Sequence, residues 1–153
     1  MNRRLFIQAG AACSLALSAP ILIAARAQST SATGQKEPQK RHKIVIQVSD
    51  SDPAKWNLAL NNAKNLQDDV GAANVDIEIV AYGPGLGMLK LESPSAARVA
   101  EALKANVNVI VCENTLRSQK LTRDDMLPSL SYVPAGATQI MVRQSQGWAY
   151  LRP

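Results

Sequence analysis

The sequence predicts a single three-layer α/β/α domain over residues 43–153, built on a mostly parallel sheet. Short runs rich in β-branched residues indicate strands that are buried on both faces. Segments with apolar residues at helical spacing separate these runs, and such alternation is typical of parallel sheets with right-handed crossovers. No internal repeat marks a second domain.

The first predicted strand covers residues 43–48, and a helix follows it. Asp52 is a natural N-cap, with Pro53 at the first helical position. Gly71 is placed to end this helix. The residues that recur at helical spacing are Trp56, Leu60, Ala63, Leu66 and Val70.

A second strand is predicted over residues 75–81, and the glycine-rich turn 82–87 follows it. Ser93 and Pro94 open the next predicted helix, in which apolar residues recur on one face. The third strand covers residues 107–111 and ends at Cys112. This half of the domain therefore repeats the pattern of strand, turn and helix.

The last third of the chain contains a capping signal, a helix and a strand. Thr122 and Asp125 form a capping-box pattern over a short turn that Pro128 stops. A helix is predicted over residues 137–144, with Gly147 after it, and residues 148–151 form the closing strand.

Residues 1–27 have the three parts of a secretory signal peptide. A positive start precedes an uncharged stretch, and Ala25-Arg26-Ala27 predicts cleavage before Gln28. The start, Asn2-Arg3-Arg4-Leu5-Phe6-Ile7-Gln8, resembles the twin-arginine export pattern, and an ordinary Sec leader is the alternative. We expect a periplasmic or otherwise exported protein that has no stable membrane insertion after cleavage.

The basic residues responsible for the formal net charge of +5 lie in the N-terminal part of the chain. Residues 28–42 are polar, cationic and poor in apolar side chains, which predicts a disordered linker. Residues 44–153 contain ten basic and eleven acidic side chains and are nearly neutral. A nucleic-acid-binding domain needs a basic face, so the sequence predicts no nucleic-acid partner.

Cys112 is the strongest candidate for a catalytic residue. It is the only thiol left once the signal peptide, with Cys13, has been removed, so no internal disulfide can form. It stands at the carboxyl end of a predicted strand, where ligands bind in α/β sheets. The free N–H groups of a following helix or turn would favour the thiolate. The alternative is a small, buried and inert core cysteine.

Two further groups of residues are candidates for binding an anion or ligand near Cys112. Asn114 and Thr115 lie just beyond the cysteine, and Arg117 would act from further away. Gly83 and Gly85 would let the backbone approach a ligand closely, although a tight strand-to-helix turn also explains them. Neither the phosphate-loop pattern nor the dinucleotide glycine spacing is present. The sequence predicts no cofactor and, with His42 as its single histidine, no metal site.

Several stretches together resemble the DsrE/DsrF-like family, and in particular its exported branch. The resemblance covers about residues 43–153, and its most specific part is the segment around Cys112. The matching stretches are 107–116, Asp125-Met126-Leu127-Pro128, Val133-Pro134-Ala135-Gly136, Tyr82-Gly83-Pro84-Gly85 and 147–153.

This resemblance implies a parallel five-stranded α/β/α sandwich that assembles into homotrimers or hexamers. It also implies that the cysteine at this strand end carries sulfur as a persulfide between a donor and an acceptor protein. The leading hypothesis is thus an exported sulfur carrier or sulfurtransferase that uses Cys112. The alternatives are a non-catalytic oligomeric module that binds a small ligand, and a subunit that assembles with another exported protein.

Overall fold

Strands and helices alternate through residues 41–153, the part of the chain that the computed structural model describes. The strands are β1 (His42–Val48), β2 (Val75–Ala81), β3 (Asn108–Cys112), β4 (Ser131–Val133) and β5 (Ala149–Leu151). The α-helices are α1 (Pro53–Val70), α2 (Ala96–Lys104), α3 (Glu113–Gln119) and α4 (Gly136–Ser145). Short 3₁₀ helices occupy Ala72–Asn74, Gly83–Leu89 and Arg123–Asp125. The predicted signal peptide and nearly all of the predicted linker lie outside the described residues.

The five strands form one parallel sheet in the order β4-β3-β2-β1-β5. The central strand β2 pairs with β1 along seven residues, from Val75 opposite His42 to Ala81 opposite Val48. Every pairing is parallel because a helical segment carries the chain back to the amino end of the sheet between strands. This topology confirms the predicted α/β class and the five-stranded parallel sheet that the family resemblance implies.

Helix α1 begins and ends where its sequence predicts. The Asp52 side chain accepts a hydrogen bond from the Ala54 N–H at 2.8 Å. Pro53 occupies the first turn, where its missing N–H costs no hydrogen bond. At the other end, the Gly71 N–H donates to the Gln67 carbonyl at 3.0 Å. No helix in residues 41–153 has the length and apolar composition needed to cross a membrane.

The first face of the sheet, on which α1 and α2 pack, carries the larger apolar core. Trp56 of α1 and Val99 of α2 are buried against it. Each fully buried Val, Ile or Leu side chain contributes about 1.5–3 kcal/mol relative to an exposed one, so this face supplies most of the hydrophobic stabilisation. Its buried strand residues are Ile46, Val48, Val75, Ile77, Ile79, Ala81, Val109 and Val111.

The second face of the sheet, on which α4 packs, has a much smaller apolar cluster. Its buried members are Val45, Val80, Ile110 and Ile140. Within residues 41–153, α4 is the one helix that packs on this face, and polar side chains of the strands also point to it. Two polar groups result, one around Glu78 and one around Cys112.

The Glu78 cluster consists of Glu78, Arg143, Gln139 and Asn108. The Glu78 side chain is buried, and Arg143 donates to its two oxygens through Nε at 2.8 Å and Nη2 at 2.6 Å. Gln139 and Asn108 donate to the same carboxylate at 2.9 and 3.2 Å. The Arg143 guanidinium also lies 4.7 Å from the ring centre of Trp148. This cluster joins α4 to β2 and β3.

The structure differs from the sequence prediction mainly at β4, which no residue pattern indicated. Ser131–Val133 has three residues, too few to show an alternation of apolar and polar side chains. Helix α2 begins at Ala96, three residues after the predicted opening at Ser93. Strand β1 begins at His42, one residue before the predicted start of the domain.

Candidate functional site

Cys112 is the residue at which β3 ends and α3 begins, with no loop between them. Val109 and Val111 are buried in the first face, so alternation along the strand directs Cys112, like Ile110, to the second face. Only 5% of the residue is exposed, and it is the free cysteine of the described residues. The thiol therefore lies at the carboxyl edge of the sheet, where the sequence placed the candidate site.

The sulfur of Cys112 accepts a hydrogen bond from the start of α4. The Gly136 N–H, at the first position of α4, donates to Sγ at 3.2 Å. Burial raises the pKa of the thiol, but the Thr115 hydroxyl, the Gly136 N–H and the first N–H groups of α3 outweigh this effect. The pKa of Cys112 consequently lies below the ordinary value for cysteine, which favours the nucleophilic thiolate.

Thr115 and Gly83, two of the predicted site residues, are in direct contact. The Thr115 hydroxyl oxygen accepts a hydrogen bond from the Gly83 N–H at 2.9 Å. Since that N–H satisfies the oxygen as an acceptor, the hydroxyl proton remains available for the Cys112 sulfur. The Gly83 carbonyl accepts a further bond from the Gln119 side chain at 3.0 Å. The glycine turn thus supports α3 and, through Thr115, the thiol.

Asn114 and Arg117, two further predicted site residues, contact each other on the exposed side of α3. An Arg117 Nη2 proton is donated to the Asn114 side-chain oxygen. The Asn114 N–H donates to the Pro134 carbonyl at 3.1 Å, which joins α3 to the segment that precedes α4. The structure gives neither side chain a contact with the Cys112 sulfur, so their roles as anion ligands stay predictions.

Gly85, the last of the predicted site residues, is required by packing. It is buried, and a Cβ at this position would lie 2.3 Å from the Val48 carbonyl oxygen and 2.9 Å from the Ser49 Cα. Those contacts are with backbone, which has no room to move. The turn therefore needs glycine here to pass close to the end of β1.

Gly136 is the residue of this site that the sequence analysis missed. A Cβ on Gly136 would lie 3.2 Å from Tyr82 and from Val80, so the glycine lets α4 approach the sheet until its N–H reaches the sulfur. A glycine at the start of a predicted helix, just after Pro134, was the available signal. Its contact with Cys112 crosses 24 positions of sequence and depends on β4, which was not predicted.

Glu113, whose charge would oppose a thiolate beside it, is paired with a cation. Arg123 Nη2 lies 2.5 Å from its carboxylate, and the guanidinium also stacks 4.1 Å from the Tyr132 ring centre. Within residues 41–153, no group of three or more His, Cys, Asp or Glu side chains is arranged to hold a metal ion.

The fold is similar to that of three solved structures. MTH1491, a protein of unknown function from Methanobacterium thermoautotrophicum, is 34% identical, with a TM-score of 0.70 over 73% of this chain and 99% of that chain. BT1422 from Bacteroides thetaiotaomicron, also of unknown function, has a TM-score of 0.59 at 10% identity, over 72% and 94% of the two chains. The ychN protein from E. coli has a TM-score of 0.56 at 12% identity, over 74% and 99%.

The last two similarities concern the fold alone. A comparison with curated proteins gives no match. The model of the DsrE/DsrF-like family matches residues 42–153, which include every strand and helix described above. The chain is therefore a member of the DsrE/DsrF-like family.

Proposed function

We propose that this protein is a sulfur carrier, in which Cys112 takes a sulfane sulfur atom from a donor and holds it as a persulfide. The observation that carries the proposal is the hydrogen bond from the Gly136 N–H to the Cys112 sulfur, at a thiol whose pKa the nearby Thr115 hydroxyl also lowers. Thiolate is the reactive form in sulfur exchange. Family membership supports the same activity.

Loading requires no oxidant or reductant beyond the donor itself. The Cys112 thiolate attacks the outer sulfur of a persulfide, R–S–S–H, and a new S–S bond forms to Sγ. The original S–S bond breaks, and its electron pair departs on the R–S⁻ thiolate, which takes a proton from water. The products are Cys112–S–S–H and R–S–H.

The hydrogen-bond donors around Cys112 also assist unloading of the sulfur. An acceptor thiolate attacks the outer sulfur of Cys112–S–S–H, and Cys112 departs as a thiolate. A thiol of lower pKa is a better leaving group in such an exchange. The groups that activate Cys112 for loading therefore also favour release of its cargo.

The burial of Cys112 limits the size of the sulfur donor that can reach the thiol. With 5% of the residue exposed, a slender donor such as an inorganic polysulfide or a low-molecular-weight persulfide fits the proposal better than a bulky one. A donor or acceptor protein would have to present its thiol at the carboxyl edge of the sheet.

We propose that the protein works as a homotrimer or hexamer, as family membership suggests, and light scattering of the purified protein tests this.

We also propose that the protein is exported. The support is the pattern of residues 1–27, with Arg3 and Arg4 before an uncharged stretch and Ala25-Arg26-Ala27 before Gln28. Fractionation of cells that express the full chain should find a mature form beginning at Gln28 outside the cytoplasm. Replacement of both arginines by lysine should leave the precursor unprocessed if the twin-arginine route is used, and should have little effect if the Sec route is used.

Mass spectrometry of the folded mature protein tests the carrier function. After treatment with polysulfide, the wild-type protein should gain the mass of one sulfur atom and lose it again with a thiol reductant. Cys112→Ser should gain none, because the variant has no thiol that can form a persulfide. Ser118→Ala is the control, because its hydroxyl bonds the Thr115 carbonyl and does not contact the sulfur. A wild-type thiol that stays unmodified and unreactive in the folded protein would refute the proposal.

The burial of Cys112 also favours a second candidate, the non-catalytic module that binds a small anionic or apolar ligand beside the glycine turn. In that case Cys112 serves as packing, and Cys112→Ser should retain ligand binding. The two candidates differ in one measurement, because only the carrier gains sulfur in the wild-type protein and loses this ability in the variant.

A further inference from the structure

Tyr82 stands beside Cys112 on the second face of the sheet. Strands β2 and β3 pair Ala81 with Val111, so the next residues along the two strands, Tyr82 and Cys112, are neighbours. Tyr82 packs with the second-face apolar cluster. Gly136 lies against the Tyr82 ring and donates its N–H to the Cys112 sulfur, so it contacts both residues.

A hydroxyl chain, which we define as Tyr150, Gln47, Ser49 and Tyr82, crosses the second face toward this position. The Tyr150 hydroxyl donates to Gln47 Oε1 at 2.6 Å, and Gln47 Nε2 donates to the Ser49 hydroxyl at 3.0 Å. The Ser49 side chain also lies near the Tyr82 hydroxyl, whose pKa it lowers. These four polar side chains, from β5, the end of β1 and the end of β2, therefore extend across the face as far as Tyr82, which is beside Cys112.

The hydrogen bonds of the hydroxyl chain have one direction. Because the Ser49 oxygen accepts from Gln47, its own proton is left for Tyr82 Oη. A Ser49 hydroxyl that donates to Tyr82 Oη leaves the phenol proton for a second acceptor. Such a sequence of bonds strengthens the last donor. Burial raises the pKa of Tyr82, as do the neighbouring Tyr150 and Cys112, so the phenol keeps its proton at neutral pH.

We propose that the Tyr82 hydroxyl is a catalytic donor that hydrogen-bonds to the departing sulfur while Cys112 takes the outer sulfur of a persulfide. This inference rests on the proposed carrier function and adds a second residue to it. The geometry that supports it is the position of Tyr82 beside Cys112 at the end of the hydroxyl chain. In R–S–S–H, the inner sulfur becomes R–S⁻ as the S–S bond breaks, and this is where negative charge develops. A donor aimed at developing charge lowers the barrier.

The bond changes remain those of the loading step. The Tyr82 hydroxyl donates a hydrogen bond to the departing sulfur and stays protonated throughout. R–S⁻ takes its proton from water after release. Since the bond stabilises charge on the departing sulfur, its effect must grow with the basicity of R–S⁻. The inferred substrate class is therefore persulfides of alkyl thiols, whose thiolates are more basic and depart more slowly than those of aryl thiols.

Loading rates of the mature wild-type protein and of Tyr82→Phe test this role. The probes are two organic persulfides, one of an alkyl thiol and one of an aryl thiol. We expect Tyr82→Phe to load about tenfold more slowly with the alkyl persulfide, as follows from losing one hydrogen bond to a charged group, and to change much less with the aryl persulfide. Tyr132→Phe is the matched control, because Tyr132 packs on the first-face core.

Alkylation of Cys112 by iodoacetamide reports whether the site itself is intact. Iodide departs without a hydrogen bond, so Tyr82→Phe should react within twofold of the wild-type rate. Ser49→Ala supplies a second variant, which removes the neighbour of Tyr82 in the hydroxyl chain and should show the same selective loss to a smaller extent. A slower alkylation in both variants would mean that Tyr82 holds the site in shape, and would overturn the proposal.

The outcomes separate this inference from the proposed function. If the wild-type protein loads and Tyr82→Phe loads equally fast, or is slowed equally with both donors, the carrier function stands and the role of Tyr82 is wrong. If the wild-type protein loads from neither donor, the carrier function fails, and the role of Tyr82 fails with it. A selective loss with the alkyl persulfide supports both.

Discussion

The Glu78 cluster and the Cys112 site lie on the same face of the same sheet, yet their polar groups are arranged differently. The Glu78 carboxylate accepts four hydrogen bonds from three neighbouring side chains, two of them from the fork of Arg143. At Cys112, the Gly136 N–H of α4 donates to the sulfur, and the Thr115 hydroxyl of α3 helps to lower its pKa. The carboxylate is thus fully bonded to charged and amide partners, whereas the sulfur is bonded to a backbone N–H.

The difference shows how one face can serve both stability and chemistry. Four hydrogen bonds fill the acceptor positions of a carboxylate, so the Glu78 cluster has nothing to offer a ligand. Arg143 and Gln139 lower the pKa of Glu78 against the effect of burial, which keeps the carboxylate charged and the cluster intact. The groups around Cys112 lower the pKa of its thiol and so favour the thiolate.

The largest effect on stability should come from Glu78→Ala. It leaves the guanidinium of Arg143 partly buried without its carboxylate, and breaking such a pair costs about 3 kcal/mol. Chemical denaturation measures the loss, while the alkylation rate of Cys112 should stay within twofold. Asp68→Ala is the control, because its pair with Lys64 is exposed and contributes less than about 1 kcal/mol. Equal losses in the two variants would contradict a stabilising role for the cluster.

A smaller effect on stability, joined to an effect on reactivity, is expected for Gly136→Ala. The new Cβ must push against Tyr82 and Val80, which moves the Gly136 N–H away from the sulfur. Overpacking of this kind costs about 1–3 kcal/mol. The pKa of Cys112 should rise, and alkylation at neutral pH should slow about tenfold.

Gly87→Ala is the matched control for this change. A Cβ on Gly87 would meet the Trp56 ring at 3.1 Å, as tight a contact as at Gly136 but in the first-face core. We expect a comparable loss of stability without a change in the alkylation rate. If both variants slow alkylation equally, the role of the Gly136 N–H in activating the thiol is wrong.

The smallest expected effect is the dependence of stability on pH. The pKa of Cys112 is lowered in the folded protein, so the folded state binds fewer protons than the unfolded chain between the two pKa values. Stability relative to Cys112→Ala should rise with pH through that window and stay constant above the ordinary pKa of cysteine. It should be lost as pH falls through the folded-state pKa. Denaturation curves at a series of pH values measure this.

Thr115 variants test the same lowered pKa by a second measurement, the rate of Cys112 alkylation as a function of pH. Thr115→Val removes the hydroxyl, should raise the pKa of Cys112, and should shift the midpoint of the alkylation profile to higher pH. Thr115→Ser keeps the hydroxyl and should restore the wild-type midpoint. A profile that Thr115→Val leaves unchanged would assign the lowered pKa to the backbone N–H groups alone.

Local patterns predicted the central strands and α1, because their apolar runs and the Asp52-Pro53 cap determine the structure without distant contacts. The same reasoning placed Cys112 at a strand end. It missed β4, whose three residues are paired only because β3 is already in place. It therefore also missed Gly136, whose N–H reaches Cys112 only after β4 has brought α4 to the sheet.

The absence of a loop between β3 and α3 has a mechanical consequence. The backbone of Cys112 belongs to a sheet on one side and to a helix on the other, so the sulfur can change position only by rotation about its own side-chain bond. A cysteine on a mobile tail can travel between partners, whereas one fixed in this way stays in place. Any molecule that exchanges sulfur with this protein must therefore bring its own reacting atom to the edge of the sheet.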